Sequence, residues 1–159
     1  MFPDISRFPI KKGETIIFSA GDSAVATTRL KALYENEVVA RTPRTSFFNC
    51  LKNSAQQFYF RPKEDDAYLL AGYPWFKVRA RDLFVALPGS TLSIDDPVRF
   101  EKIMHTAMPA MRAYMENGRF DAVIREIEHP DVFLWAIWAI QQYAKHEALK
   151  RHVSYTAIS

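Results

Sequence analysis

The segment DVFLWAIWAI, residues 131–140, decides how the rest of the sequence is interpreted. It begins with an aspartate, a residue that often caps helices, and continues with nine apolar residues in a row. Because the following residues keep a helical pattern, we expect one helix from about Asp131 to Arg151. The first half of this helix is apolar on every side, so it should need neighbouring structure on every side.

The rest of the sequence also predicts a mainly α fold. Residues 24–40 form a helical pattern, and Thr42-Pro43 provides an N-cap and a first helical residue for a second helix. Asp96-Pro97 opens a third helix by the same rule, and Asn117-Gly118 ends it. Between Pro74 and Gly89 we expect only one or two helical turns, at residues 83–87.

The N-terminal residues have a different pattern from the rest. Lys12-Gly13 indicates a turn, and residues 15–19 have the composition of a short strand. A single strand cannot pair its own backbone, so its partner should be residues 68–70 or a strand outside this sequence. We therefore place a domain boundary after residue 22, with a β segment over residues 1–22 and helices over residues 23–159.

Composition excludes several classes of protein. The chain has 159 residues, 48% of them hydrophobic, a formal net charge of +3 and one cysteine, Cys50. It therefore predicts an ordered protein without internal disulfides, and without the basic cluster that nucleic-acid binding requires. No apolar run is long enough for a membrane span and no secretory signal is visible, so we expect a cytoplasmic protein. The four histidines lack the spacing of metal ligands, so we expect neither a metal site nor a cofactor.

One segment has the residue types of a sugar-binding site. Residues 71–82, AGYPWFKVRARD, combine aromatic rings with arginines and an aspartate. An aromatic plane packs against the C–H face of a pyranose, while a carboxylate and a guanidinium hydrogen-bond its hydroxyls. The structural alternatives are that Arg81 and Asp82 form an ion pair with each other, or that Asp82 caps a helix.

Three segments, in order, resemble the glucosidase domain of glycogen debranching enzymes. Residues 70–76, LAGYPWF, followed by RDLFVALPG at 81–89, resemble the opening of that domain. Residues 131–135, DVFLW, followed by AIQQY at 139–143, resemble its aspartate-alanine-x-leucine-tryptophan motif and the helix after it. Residues 8–14 and 18–19 are similar to the last strands of the preceding β-rich domain. Arg79-Ala80 stands where the family has tryptophan-glycine, and Leu83 where it has threonine.

The resemblance implies part of a barrel of six α-helical hairpins, with the remainder in a longer enzyme. It implies hydrolysis of α-1,6-glucosidic branch linkages of a glucan with inversion, a reaction that needs two carboxyl groups. Those two acids are expected beyond the second motif, so no catalytic residue is assigned in this chain. The resemblance assigns substrate binding, with Arg81 and Asp82 holding glucose hydroxyls. Asp131 would bind or orient the sugar, and Trp75 and Trp135 would form apolar walls.

Two alternatives remain open at this point. The chain could be a non-catalytic, all-α carbohydrate-binding or interaction module, an interpretation that the substitution by Arg79-Ala80 favours. It could also be an unrelated helical scaffold, which the three ordered matches argue against. If the chain is an open segment of such a barrel, the apolar helix should leave a face without its neighbours, formed by Phe133, Trp135, Ile137 and Trp138, and we expect self-association through it.

Overall fold

A computed structural model describes residues 9–19, 24–63, 65–72 and 76–156, with side chains as far as Arg151. The chain divides into two compact units, Met1–Pro43 and Arg44–Ser159. The structure is mostly helical, which confirms the mainly α prediction. Among the described residues, no helix is both long enough and apolar enough to cross a membrane.

The first unit contains one turn and one helix. The turn is at Lys12-Gly13, where Gly13 has a φ of +93° and the Glu14 amide donates to the Lys11 carbonyl at 3.0 Å. The strand predicted over residues 15–19 is wrong, since the structure has no strand over these residues. Helix α1, Thr27–Ala40, confirms the first predicted helix and has no buried residue.

Helix α2, Phe47–Gln56, begins later than its sequence signature predicts. Ser46, and not Thr42, is the N-cap, and its hydroxyl accepts a hydrogen bond from the Asn49 amide at 3.1 Å. The Ser46 hydroxyl satisfies an amide of the first helical turn, so the helix begins directly after it, although Phe47 and Phe48 at its start remain exposed.

The second unit continues with short strands and three longer helices. Strands β1, Tyr59–Phe60, and β2, Tyr68–Leu69, form an antiparallel pair. Strands β3, Val78–Arg79, and β4, Ile124–Arg125, form a parallel pair. The helices are α3, Ala80–Thr91, α4, Pro97–Asn117, and α5, Val132–Thr156, with a 3₁₀ turn at Leu92–Ile94.

Helix α3 is longer than predicted because it continues through a proline. Pro88 lies inside the helix and is buried, although the sequence suggested that it ends the helical turns. An interior proline costs roughly 3 kcal/mol. Leu83, Phe84 and Leu87 are at most 1% exposed, and burial of each stabilises the fold by about 1.5–3 kcal/mol. The buried face of α3 therefore outweighs the proline.

Helix α4 has the ends that its sequence predicts. The Asp96 side chain accepts from the Arg99 amide at 3.1 Å, and Pro97 is the first helical residue. Gly118 adopts the left-handed conformation, with a φ of 63°, that ends the helix. Pro109 lies inside α4, as the sequence predicts.

The core surrounds α3, which packs against α5 and α4. Val132, Ala136 and Ala139 form the buried side of α5. The opposite side is not enclosed by the described residues, since Leu134 is 67% and Ile137 54% exposed. The prediction that α5 is buried on every side is therefore wrong within this chain.

The aromatic residues of α5 are also placed differently from the prediction. Phe133, Trp135 and Trp138, expected on the exposed face, are partly buried and pack against the core. Of the four residues predicted on that face, only Ile137 is mostly exposed. The exposed apolar face of α5 is instead formed by Leu134, Ile137 and Ile140.

Candidate functional site

The parallel pair β3–β4 brings two distant segments together. Val78 lies opposite Ile124, and Arg79 opposite Arg125. The Asp121 carboxylate fixes the turn before β4, because its Oδ1 accepts from the amides of Val123 and Ile124, both at 2.8 Å. Since α3 begins directly after β3 and α5 follows shortly after β4, the two helices begin near each other.

Arg81 and Asp131 meet at the beginnings of these two helices. Arg81 lies in the first turn of α3, and Asp131 directly precedes α5. The guanidinium binds the carboxylate through two contacts, Nε to Oδ2 at 2.7 Å and Nη2 to Oδ1 at 2.9 Å. Such a two-pronged pair is among the strongest and most directional polar contacts in proteins. The two side chains remain 49% and 37% exposed, so the pair is reachable from solvent.

The pairing changes the proton affinity of both groups. The hydrogen bond from Arg81 lowers the pKa of the Asp131 carboxyl, and the attraction of the guanidinium charge and a hydrogen bond from Trp135 add to the effect. In the opposite direction, the hydrogen bond to Asp131 raises the pKa of Arg81. The site therefore holds a stable carboxylate rather than a proton donor at neutral pH.

Trp135 lies one turn into α5 and contacts the same carboxylate. Its indole Nε1–H donates to Asp131 Oδ2 at 3.2 Å. Trp138 packs edge-on against it, with ring centroids 5.6 Å apart and an interplanar angle of 87°. Both indoles are partly buried. Trp135 therefore has a fixed orientation beside the Arg81–Asp131 pair.

Asp82 lies beside this cluster in sequence but does not pair with Arg81. It is an exposed acidic residue in the first turn of α3, where the helix dipole favours a negative charge. No described residue forms a hydrogen bond or ion pair with its side chain. The alternative that Arg81 and Asp82 form an ion pair with each other is therefore wrong, because the partner of Arg81 is Asp131. Trp75, the fifth predicted site residue, lies outside the described residues.

Further contacts next to this cluster were not predicted from the sequence. His129 Nδ1 lies 3.3 Å from Arg81 Nη2. Arg79 forms an ion pair with Glu126 at 3.4 Å, and its guanidinium lies over the Phe76 ring at 5.7 Å. The only signal for His129 is its position two residues before Asp131, in a loop whose conformation the sequence does not specify.

Comparison with known protein families identifies a match. The model of the family described as amylo-alpha-1,6-glucosidase matches residues 50–155, about two thirds of the chain. Searches of curated proteins and of solved structures find no match. The matched residues include Arg81, Asp131 and Trp135, the three side chains that the structure brings together. On this evidence the chain belongs to the amylo-alpha-1,6-glucosidase family.

Proposed function

We propose that this chain binds a glucosyl unit as part of a domain that hydrolyses α-1,6 branch linkages of glycogen-like glucans. The observation that carries the proposal is the exposed, two-pronged contact between Arg81 and Asp131, which lie 50 residues apart. Membership of the amylo-alpha-1,6-glucosidase family supports the choice of substrate.

Arg81 and Asp131 retain hydrogen-bonding capacity for sugar hydroxyls. A carboxylate offers about four acceptor positions and a guanidinium five N–H donors. Asp131 accepts two bonds from Arg81 and one from Trp135. Arg81 gives those two bonds and has one further contact, with His129. The pair thus presents both an acceptor and donors, the combination that adjacent hydroxyls of a pyranose require.

Asp82 and Trp135 complete the proposed binding surface. The exposed Asp82 carboxylate adds acceptor oxygens next to Arg81 in the chain. The Trp135 indole, held by Asp131, supplies an apolar wall for the C–H face of the sugar. No residue of this chain is assigned a catalytic role, so the isolated chain should bind without hydrolysing.

A second candidate is a non-catalytic carbohydrate-binding or interaction module. The observation that favours it is the environment of Arg79-Ala80, where the family has tryptophan-glycine. Ala80 is fully buried and Arg79 is engaged by Glu126 and Phe76, so a charged side chain lies where an aromatic platform would be. Binding at this site should therefore be weak under either interpretation.

A sugar titration followed by NMR tests the proposal. Maltose and isomaltose are added to the full chain while the tryptophan indole signals are recorded. A millimolar dissociation constant corresponds to about −4 kcal/mol, which a few hydrogen bonds and one packed face can supply. We expect shifts of the Trp135 indole that saturate in this range and that are lost in Asp82→Asn and Asp131→Asn.

Glu126→Gln is the matched control. It removes a neighbouring ion pair of similar exposure without touching Arg81 or Asp131. We expect the sugar-induced shifts to persist in this variant. The contrary result is that the indole signals of the wild-type protein do not shift at a sugar concentration tenfold above a millimolar dissociation constant. The Arg81–Asp131 pair would then be only a structural link between α3 and α5.

A further inference from the structure

Arg81 is held by His129 as well as by Asp131. Arg81 Nη2 lies 3.3 Å from His129 Nδ1 and 2.9 Å from Asp131 Oδ1, while Nε lies 2.7 Å from Asp131 Oδ2. A guanidinium has five N–H groups, and these contacts occupy three of them. Among the described residues, none binds the two N–H groups of Nη1. Nη1 is therefore the edge of Arg81 that can donate to a ligand.

The contact with Arg81 requires one protonation state of His129. A guanidinium carries only donors and no acceptor. His129 Nδ1 therefore binds Nη2 as an acceptor, in the neutral ring that has its proton on Nε2. When the ring takes up a second proton, Nδ1 becomes a donor and cannot accept this bond. Two positive groups then face each other across 3.3 Å.

The charged groups around this contact belong to three parts of the fold. They are Arg79 at the end of β3, Arg81 and Asp82 at the start of α3, and Glu126, Glu128 and Asp131 between β4 and α5. Arg81 already binds Asp131, and Arg79 already binds Glu126. A positive His129 therefore adds a cation beside Arg81 and competes with it for the Asp131 carboxylate.

We propose that His129 is a positioning residue for Arg81: the neutral ring holds Nη2 so that Nη1 faces a sugar hydroxyl, and the protonated ring releases it. This role rests on the proposed function, since it concerns the same sugar site, and it adds a dependence on pH. Imidazole is the side chain that ordinarily changes its charge between about pH 5 and 8. Sugar binding should therefore weaken as the pH falls through this range.

An NMR pH titration of the sugar-free protein gives the first measurement. The Trp135 indole N–H donates to Asp131 Oδ2, the oxygen that Arg81 Nε also contacts, so its signal reports on the pair. Between about pH 8 and pH 5.5 we expect this signal to move through an inflection in the wild type. In His129→Asn it should stay constant, because the asparagine Oδ1 replaces Nδ1 as an acceptor and is not protonated in this range.

Maltose titrations at the two ends of this pH range measure the effect on binding. In the wild type the dissociation constant should rise about threefold at the lower pH, the size expected for an interaction between exposed charges. In His129→Asn it should not change with pH. His129→Leu has no acceptor and should bind more weakly than His129→Asn at both values. His105→Asn, which removes an exposed imidazole on α4, is the matched control and should keep the pH dependence of the wild type.

The two measurements separate the role of His129 from the proposed function, with circular dichroism showing that each variant is folded. An indole inflection that is lost in His129→Asn, without sugar binding at either pH, would show that the proposed function is wrong while His129 still controls the Arg81–Asp131 pair. Three results would instead overturn the role of His129 and leave the sugar site standing. They are a wild-type indole without an inflection, an inflection that persists in His129→Asn, and a dissociation constant of the wild type that does not change with pH.

Discussion

At the residue scale, the Asp131 carboxylate is the centre of the candidate site. Its two oxygens accept hydrogen bonds from the Arg81 guanidinium and the Trp135 indole, which favour the ionised form and lower its pKa. A carboxylate whose pKa is lowered by folding stabilises the folded state above its unfolded pKa. This stabilisation is lost as the pH falls through the lower pKa of the folded state.

Replacement of Asp131 should therefore have a pH-dependent effect on stability. We expect Asp131→Asn to lower the melting temperature at pH 7, and the difference from the wild type to shrink as the pH falls below about 4. The double variant Arg81→Gln/Asp131→Asn should lose little more than either single variant, because both remove the same contact. Melting curves between pH 2.5 and 7 measure this, and a difference that stays constant with pH would contradict the role of the carboxylate charge.

The residue types of the site could be predicted from the sequence, but their partners could not. Arg81 was singled out because residues 71–82 have the residue types that bind sugars, whereas Asp131 and Trp135 were assigned by the resemblance to the glucosidase domain. Neighbours such as Arg81 and Asp82 do not face each other on a helix, whereas Arg81 and Asp131 meet through the register of β3 and β4. Each of these strands has two residues, too few for any periodic signal in the sequence.

At the element scale, the ends of α4 were predictable and the start of α2 was not. The aspartate–proline signature of Asp96 is followed directly by Val98 and Phe100, side chains of the helical pattern. The threonine–proline signature of Thr42 is followed by three polar residues, so Ser46 becomes the cap. A cap signature therefore identifies a helix start only where apolar residues follow at once.

The two caps should differ in their effect on stability. Asp96→Ala removes the cap of a helix with six buried residues, and we expect the free energy of unfolding to fall by about 1 kcal/mol. Ser46→Ala weakens α2, in which Asn53 is the only buried residue among those described. Helix α2 can then fray without unfolding the core, so the midpoint of global unfolding should fall less than in Asp96→Ala. Urea denaturation followed by tryptophan fluorescence compares them, and equal losses would show that α2 unfolds with the core.

At the scale of the whole molecule, the chain belongs to a glucosidase family but has no residue assigned as a catalytic acid, so we expect it to be inactive alone. Acid and base groups contribute about 10²–10⁴-fold each to such a reaction. We therefore expect this chain alone to release no glucose from a branched limit dextrin above a buffer control. Glucose release above that control would contradict the expectation and would show that the chain contains a catalytic acid of its own.

The exposure of α5 also belongs to this scale. The sequence predicted an enclosed helix because residues 132–140 are apolar throughout. The periodicity of a helix shows how apolar each side is, but the number of neighbours depends on which other elements are present. The described residues of this chain cover the side with Val132, Ala136 and Ala139 and leave the side with Leu134 and Ile137 exposed.

The separation of Arg81 and Asp131 along the chain has a consequence for the order of folding. Closing a loop of 50 residues costs about 3.5 kcal/mol of chain entropy before any contact between its ends forms. Helices α3 and α4 can nucleate from contacts within their own turns, whereas the contact between Arg81 and Asp131 must wait for this closure. We therefore expect the helices to form before this contact does.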